Sequence, residues 1–166
     1  MKTLHLAVLT LVLIYVSGCY STESEKTGLE GKPMPSFTLM RPDSSNYSNS
    51  KDLIANNPAV LFYYSPNCPY CRAQLKGFIK EMDELKDIRF YLVTQASYQS
   101  MKEFDKEYGL NKYQNIINGK DIDNKLATYF EVTAVPVIAV YGKDKKLTKL
   151  FQGKTYNSLI KKAAFH

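Results

Sequence analysis

Ala59-Val60-Leu61-Phe62-Tyr63-Tyr64-Ser65-Pro66-Asn67-Cys68-Pro69-Tyr70-Cys71 is the stretch on which the reading of this chain turns. Six apolar or aromatic residues read as a strand covered on both faces. Ser65-Pro66-Asn67 ends that strand, and two cysteines separated by two residues follow it. After them Leu75, Phe78, Ile79, Met82 and Leu85 recur at intervals of three, one, three and three, which places them on one face of a helix. The dithiol therefore sits at a helix start. The first N–H groups of a helix lack intrahelical partners and the helix dipole is positive there. That environment favours a thiolate, which is the nucleophilic form. Cys68, at the mouth, is expected to attack, and Cys71, one turn further in, to resolve.

A Cys-x-x-Cys can also be half of a zinc site. Zinc needs about four ligands, and the other candidates, Cys19, His5 and His166, lie near the ends of the chain. A metal is not expected here. A purely structural disulfide closing so short a loop would stabilise little by chain entropy. Redox chemistry at Cys68 and Cys71 is the reading that remains, with the disulfide itself as the redox group and no separate cofactor.

The 166 residues suffice for one domain with a core, and 45% hydrophobic against 23% charged residues is the balance of a globular protein. Formal charge is +6. The excess is concentrated from Lys143 to His166, where seven lysines meet one acid, Asp144. This tail reads first as a solvated strand edge and helix face, and secondly as a surface attracted to anionic lipid. Nucleic acid is not an expected partner of an exported protein.

Residues 1–18 read as an export signal. Lys2 precedes an apolar run, Leu6–Val16, of eleven residues, far short of the roughly 20 that span a bilayer. The run ends in Val16-Ser17-Gly18-Cys19, which resembles the lipobox of bacterial lipoproteins. That resemblance implies that Cys19 becomes the mature N-terminus and carries the lipid. It also removes the odd cysteine and leaves one pair. Residues 19–32 are polar and without apolar period, and read as a flexible tether. The domain is expected over 33–166.

Along the domain, Pro35–Met40 alternates like a half-buried strand. Residues 41–50 read as turn or loop, and 51–56 as one helical turn. Ile88–Thr94 is the next strand, and Ser97–Tyr108 a helix with Gly109 as its C-cap. Leu110–Lys120 carries no decisive period. Asp123–Phe130 is expected as a short helix with Asp123 near its start. Val135–Tyr141 is a strand headed by a proline, 142–146 a hairpin turn, 147–151 the returning strand, and 156–164 the last helix. A parallel start followed by an antiparallel hairpin makes a mixed sheet covered on both faces.

Cys68-Pro69-Tyr70-Cys71 after a buried strand, Tyr129-Phe130-Glu131-Val132-Thr133-Ala134-Val135-Pro136 before the hairpin, and Gly153 before the last helix together resemble the thioredoxin family. The match covers roughly Gly31 to Ala164. Gly31-Lys32-Pro33-Met34-Pro35-Ser36-Phe37 resembles the N-terminal extension of its envelope-anchored TlpA/ResA-type branch. The resemblance implies a three-layer α/β/α sandwich with a mixed central sheet and an N-terminal strand extension. It implies a cis Val135–Pro136 bond packed against the sulfurs, with Val135 on the substrate-binding edge. It implies a protein-disulfide oxidoreductase of the bacterial cell envelope, held on the extracytoplasmic side by the lipid at Cys19. Envelope proteins would be its disulfide substrates and a membrane thiol–disulfide protein its electron donor, with reduction the expected direction.

The Pro69-Tyr70 dipeptide with Arg72 is similar to glutaredoxins, but Lys143-Asp144-Lys145-Lys146 stands where those have a glutathione-binding Gly-Gly segment. Phe62 occupies the place of thioredoxin's buried aspartate. Arg72 is expected to bring positive charge to Cys68. Two other functions compete: a thiol peroxidase, whose reactive cysteine would require a Pro-x-x-x-Thr-x-x-Cys context that Pro66 does not supply, and a non-enzymatic assembly or binding lipoprotein that keeps the disulfide as a staple.

Overall fold

The apolar run before the cysteines is an inner strand of the sheet, and every one of its residues is buried. The computed structural model describes residues 23–166. In chain order it contains β1 (Thr38–Met40), β2 (Asn46–Ser48), a 3-10 helix (Asn49–Ile54) and β3 (Ala59–Tyr63). Then come α1 (Pro69–Lys80), α2 (Met82–Leu85), β4 (Arg89–Thr94) and α3 (Tyr98–Tyr108). A second 3-10 helix (Leu110–Lys112), β5 (Ile116–Lys120), α4 (Lys125–Tyr129), β6 (Val137–Tyr141), β7 (Leu147–Gln152) and α5 (Asn157–Phe165) complete the domain. The seven strands form one mixed sheet in the order β2-β1-β5-β4-β3-β6-β7. β3, β4 and β5 are parallel, and β6 and β7 return antiparallel on one side.

Alternation along the strands divides the core. Val60, Phe62, Phe90, Leu92, Ile138 and Val140 point to one face, where Leu75 and Phe78 of α1, Phe104 of α3 and Ile160 of α5 cover them. Leu61, Tyr91, Val93, Val137 and Ala139 point to the other, covered by Met34, Phe37, Leu39, and Leu126 of α4. This is the thioredoxin-like α/β architecture expected, N-terminal extension included.

The differences from the sequence reading have local causes. Residues 41–50 are not all loop: Asn46–Ser48 forms β2, paired antiparallel with β1. Leu110–Lys120 contains β5, which the sheet builds into its parallel part although Asn118 and Gly119 interrupt any apolar pattern. The long helix after the cysteines is two: the chain leaves helical geometry at Glu81 and resumes at Met82. The fourth helix begins at Lys125, two residues past Asp123. Asn124 is left-handed, and Asp121 caps α4 instead, its carboxylate accepting from the N–H groups of Lys125 (3.1 Å), Leu126 (3.0 Å) and Ala127 (3.2 Å).

Part of the polar segment 19–32 lies among the described residues. Glu25 N–H donates to the Leu150 carbonyl (2.7 Å), Gly31 N–H to that of Leu147 (2.8 Å), and Leu147 N–H to that of Lys32 (2.9 Å). β7 is an edge strand, and an edge offers unpaired N–H and C=O groups to any extended chain beside it.

Candidate active site

Cys68 is the N-cap of α1. Its backbone is extended, with φ −78° and ψ 118°, and Pro69 follows at the first turn, where a missing N–H costs nothing. The Cys68 carbonyl accepts from Arg72 N–H at 3.0 Å, the first bond of the helix. Its sulfur takes the place of a capping oxygen: Cys71 N–H points at Cys68 Sγ across 3.3 Å. An N–H donor and the positive end of a twelve-residue helix both favour negative charge on that atom.

The two sulfurs differ in access. Cys68 is half-buried and Cys71 buried, and both are free thiols. Cys71 lies in the core with Phe62, Tyr64, Leu75 and Phe78. Burial first, and then the hydrogen bond with Cys68, push the Cys71 thiol well above its ordinary value. Pro69 and Tyr70 face solvent, Tyr70 with 55% of its surface exposed. The Val135–Pro136 peptide bond is cis. Pro136 is buried, Val135 is half-buried, and the Val135 carbonyl lies 3.6 Å from Cys68 Sγ. Gly153, in a left-handed conformation that glycine adopts freely, donates its N–H to the Pro136 carbonyl at 2.8 Å and so ties the end of β7 to the proline. Cys68, Cys71, Val135 and Pro136 thus meet at one end of the sheet. Cys19 lies outside the described residues.

Arg72 is not aimed at Cys68. Its guanidinium donates to the Pro66 carbonyl at 2.9 Å, pairs with Glu107, and lies over the rings of Phe104 and Tyr108. A neighbouring carboxylate and two aromatic faces hold it on the side of α3. Phe62 is fully buried, stacked with Tyr64 and edge-on to Phe78.

Two polar groups near the pair were not singled out in the sequence. Gln74, one turn beyond Cys71 on the inner face of α1, accepts from Thr155 N–H (2.8 Å) and donates to Asn157 Oδ1 (3.2 Å), while Asn157 donates to the Gly77 carbonyl (2.9 Å). The other is a chain in which Tyr64 Oη donates to Asn118 Oδ1 (2.8 Å) and Asn118 donates to Asp105 (3.0 Å). Burial drives the Tyr64 hydroxyl far above its ordinary value; the Asn118 bond opposes this, and Asp105 and Cys71 add to it. Gln74 could have been found by counting three from Cys71 along the buried stripe. Asn118 belongs to the strand that had no readable period.

A dithiol capping the helix after a fully buried inner strand, with a buried cis-proline beside it on a mixed sheet, defines a thioredoxin-like redox protein. The chain belongs to the AhpC/TSA family, which matches residues 31–150. No curated protein sequence matches it. Among solved structures, a secreted Mycobacterium tuberculosis disulfide oxidoreductase homologous to E. coli DsbE is 21% identical, over 76% of this chain and 93% of its own, with a TM-score of 0.62. StoA from Bacillus subtilis is 16% identical over 80% of this chain and 98% of its own, TM-score 0.60. The exposed lipoprotein thioredoxin Etrx1 of Streptococcus pneumoniae strain TIGR4 is 22% identical over 78% and 98%, TM-score 0.60. These three are likenesses of fold.

Proposed function

We propose that this chain is a lipid-anchored thiol–disulfide oxidoreductase of the bacterial cell envelope, and that it reduces the disulfides of envelope proteins. The observation that carries this reading is the asymmetry of the pair: Cys68 Sγ is reachable and capped by Cys71 N–H, beside Val135, while Cys71 is buried behind it. The Cys68 thiolate attacks one sulfur of a substrate disulfide, and the other sulfur leaves as a thiolate and takes up a proton. Val135 and the exposed Tyr70 flank the mixed disulfide. Cys71 then loses its proton and attacks Cys68 Sγ, releasing the substrate as a dithiol and leaving a Cys68–Cys71 disulfide. Two electrons pass to the substrate, and a membrane thiol donor must return them.

Two features support the rest of the reading. Val16-Ser17-Gly18-Cys19 offers a lipid site. Among the described residues no helix is long and apolar enough to cross a membrane. A fixed anchor would also keep the pair close to a membrane donor. Insulin reduction with dithiothreitol tests the chemistry: Cys68→Ser should abolish it, and Cys71→Ser should accumulate mixed disulfides. A wild-type rate no faster than the Cys68→Ser background would leave only a non-enzymatic role, and rapid peroxide consumption would favour a thiol peroxidase. Acid-quenched cells test the direction, which is refuted if the pair is found mainly oxidised.

A further inference from the structure

The N-terminal segment pairs with β7 in a definite direction. Pro33 lies beside Lys146 and Glu25 beside Leu150, both antiparallel. Followed toward the N-terminus, the chain therefore runs along β7 toward Gln152. Gln152 pairs with Val137, the residue after Pro136, so this is the end of the sheet that holds Cys68. Cys19 is six residues before Glu25. Six residues span at most roughly 20 Å when fully extended. An anchor at Cys19 therefore keeps the β7 edge within about that distance of the lipid headgroups.

That edge is basic. Lys149 of β7 and Lys162 of α5 are exposed and line one open cleft with Phe151, Leu159 and Glu23. Among the described residues neither lysine is in an ion pair. Their neighbours are otherwise occupied: Lys161 pairs with Glu84, Lys146 with Asp144, and buried Lys145 donates to Ala55 and Asn57. Glu23 is the acid on the cleft. A charge is felt only within a screening length, about 8 Å at physiological salt, so lysines gain from anionic headgroups only when held against them. The short lead from Cys19 and the pairing of residues 25–33 supply that constraint.

We propose that the β7–α5 edge, through Lys149 and Lys162, docks on the anionic surface of the membrane that carries the chain. The proposal rests on the anchor reading of Cys19 given above. It gives a partner to two lysines that have no ion pair among the described residues.

The test is lysine acylation, read by mass spectrometry, of the full-length protein as cells deliver it. The protein is mixed with vesicles of phosphatidylcholine alone or of phosphatidylcholine with phosphatidylglycerol. Lys102 and Lys106 on α3, at the far side of the sheet, are internal references. On the anionic vesicles acylation of Lys149 and Lys162 should fall at least about five-fold relative to those references, the factor one lysine contributes near an anionic surface. High salt should restore it, and neutral vesicles should not produce it. Equal reactivity of all four lysines on both vesicles overturns the proposal. Intact mass and flotation with the neutral vesicles report the anchor separately. A lipid-bearing, floating protein without selective protection keeps the anchor and refutes the docking face. Selective protection of a protein that carries no lipid keeps the face and refutes the anchor.

Discussion

Gln74→Ala is the most informative single change to the scaffold beneath the dithiol. Gln74 is 1% exposed, and both ends of its amide are used: Oε1 accepts from Thr155 N–H and Nε2 donates to Asn157 Oδ1. Truncation removes both partners and leaves a backbone donor and a side-chain acceptor in a buried site. Each orphaned group costs about 1–3 kcal/mol, so the expected loss is about 2–6 kcal/mol. That is a large fraction of the stability of a typical domain. The measurement is urea unfolding of the reduced protein, with the midpoint falling and the slope unchanged. Asn157→Ala removes the partner that also holds the Gly77 carbonyl. The pair Gln74→Ala/Asn157→Ala should therefore be less destabilising than the two singles added together, by at least about 0.5 kcal/mol. A loss below about 1 kcal/mol for Gln74→Ala, or strict additivity in the cycle, would show that these bonds do not hold α1 to α5.

The remaining expectations concern the pair, the extension and the anchor. Iodoacetamide at neutral pH should label Cys68 and spare Cys71 in the reduced protein; faster labelling of Cys71 would reverse their roles. Burial, and then Cys68, raise the Cys71 thiol, so the folded protein keeps a proton that the unfolded chain releases. The stability of the reduced form should hold below about pH 8.5 and fall as pH rises above it. Cys71→Ala should flatten that fall between about pH 8.5 and 10, before the tyrosines titrate; an unchanged profile counts against the cause. In Gly119→Ala the new Cβ would stand 2.7 Å from Leu39 Cβ and 3.1 Å from the Met40 carbonyl, neither of which can step aside without moving β1. Overpacking of this kind costs about 1–3 kcal/mol, and an unchanged unfolding midpoint would mean that β1 yields freely. Cys19→Ala should leave an unlipidated chain that no longer partitions with membranes in mature form, and unchanged mass and detergent partitioning would rule the lipid out.

What the sequence could disclose followed from whether a residue's neighbours in the chain were also its partners in space. β3, the stripe of α1 and the αL cap at Gly109 are local patterns, and each was legible because period or backbone geometry leaves a trace in consecutive residues. β5 left none. Its five residues include Asn118 and Gly119, and it is a strand because parallel pairing with β4 and the close approach of Leu39 make it one. The hairpin tip shows the same limit with the opposite sign. Lys145 sits in a lysine-rich turn that reads as solvated, yet it is 4% exposed, with its ammonium bonded to the Ala55 carbonyl and the Asn57 side chain some ninety residues away. Burial holds its pKa below the ordinary lysine value. At the site the division is equally physical. The place of Cys68 at a helix mouth is a local fact, and its meeting with Val135 comes from family likeness and the fold together. The orientation of Arg72 was not legible at all, because Glu107 and the rings of Phe104 and Tyr108 that hold it lie on another helix. With Arg72 engaged there, the Cys71 N–H and the start of α1 are the positive groups that the structure brings to Cys68.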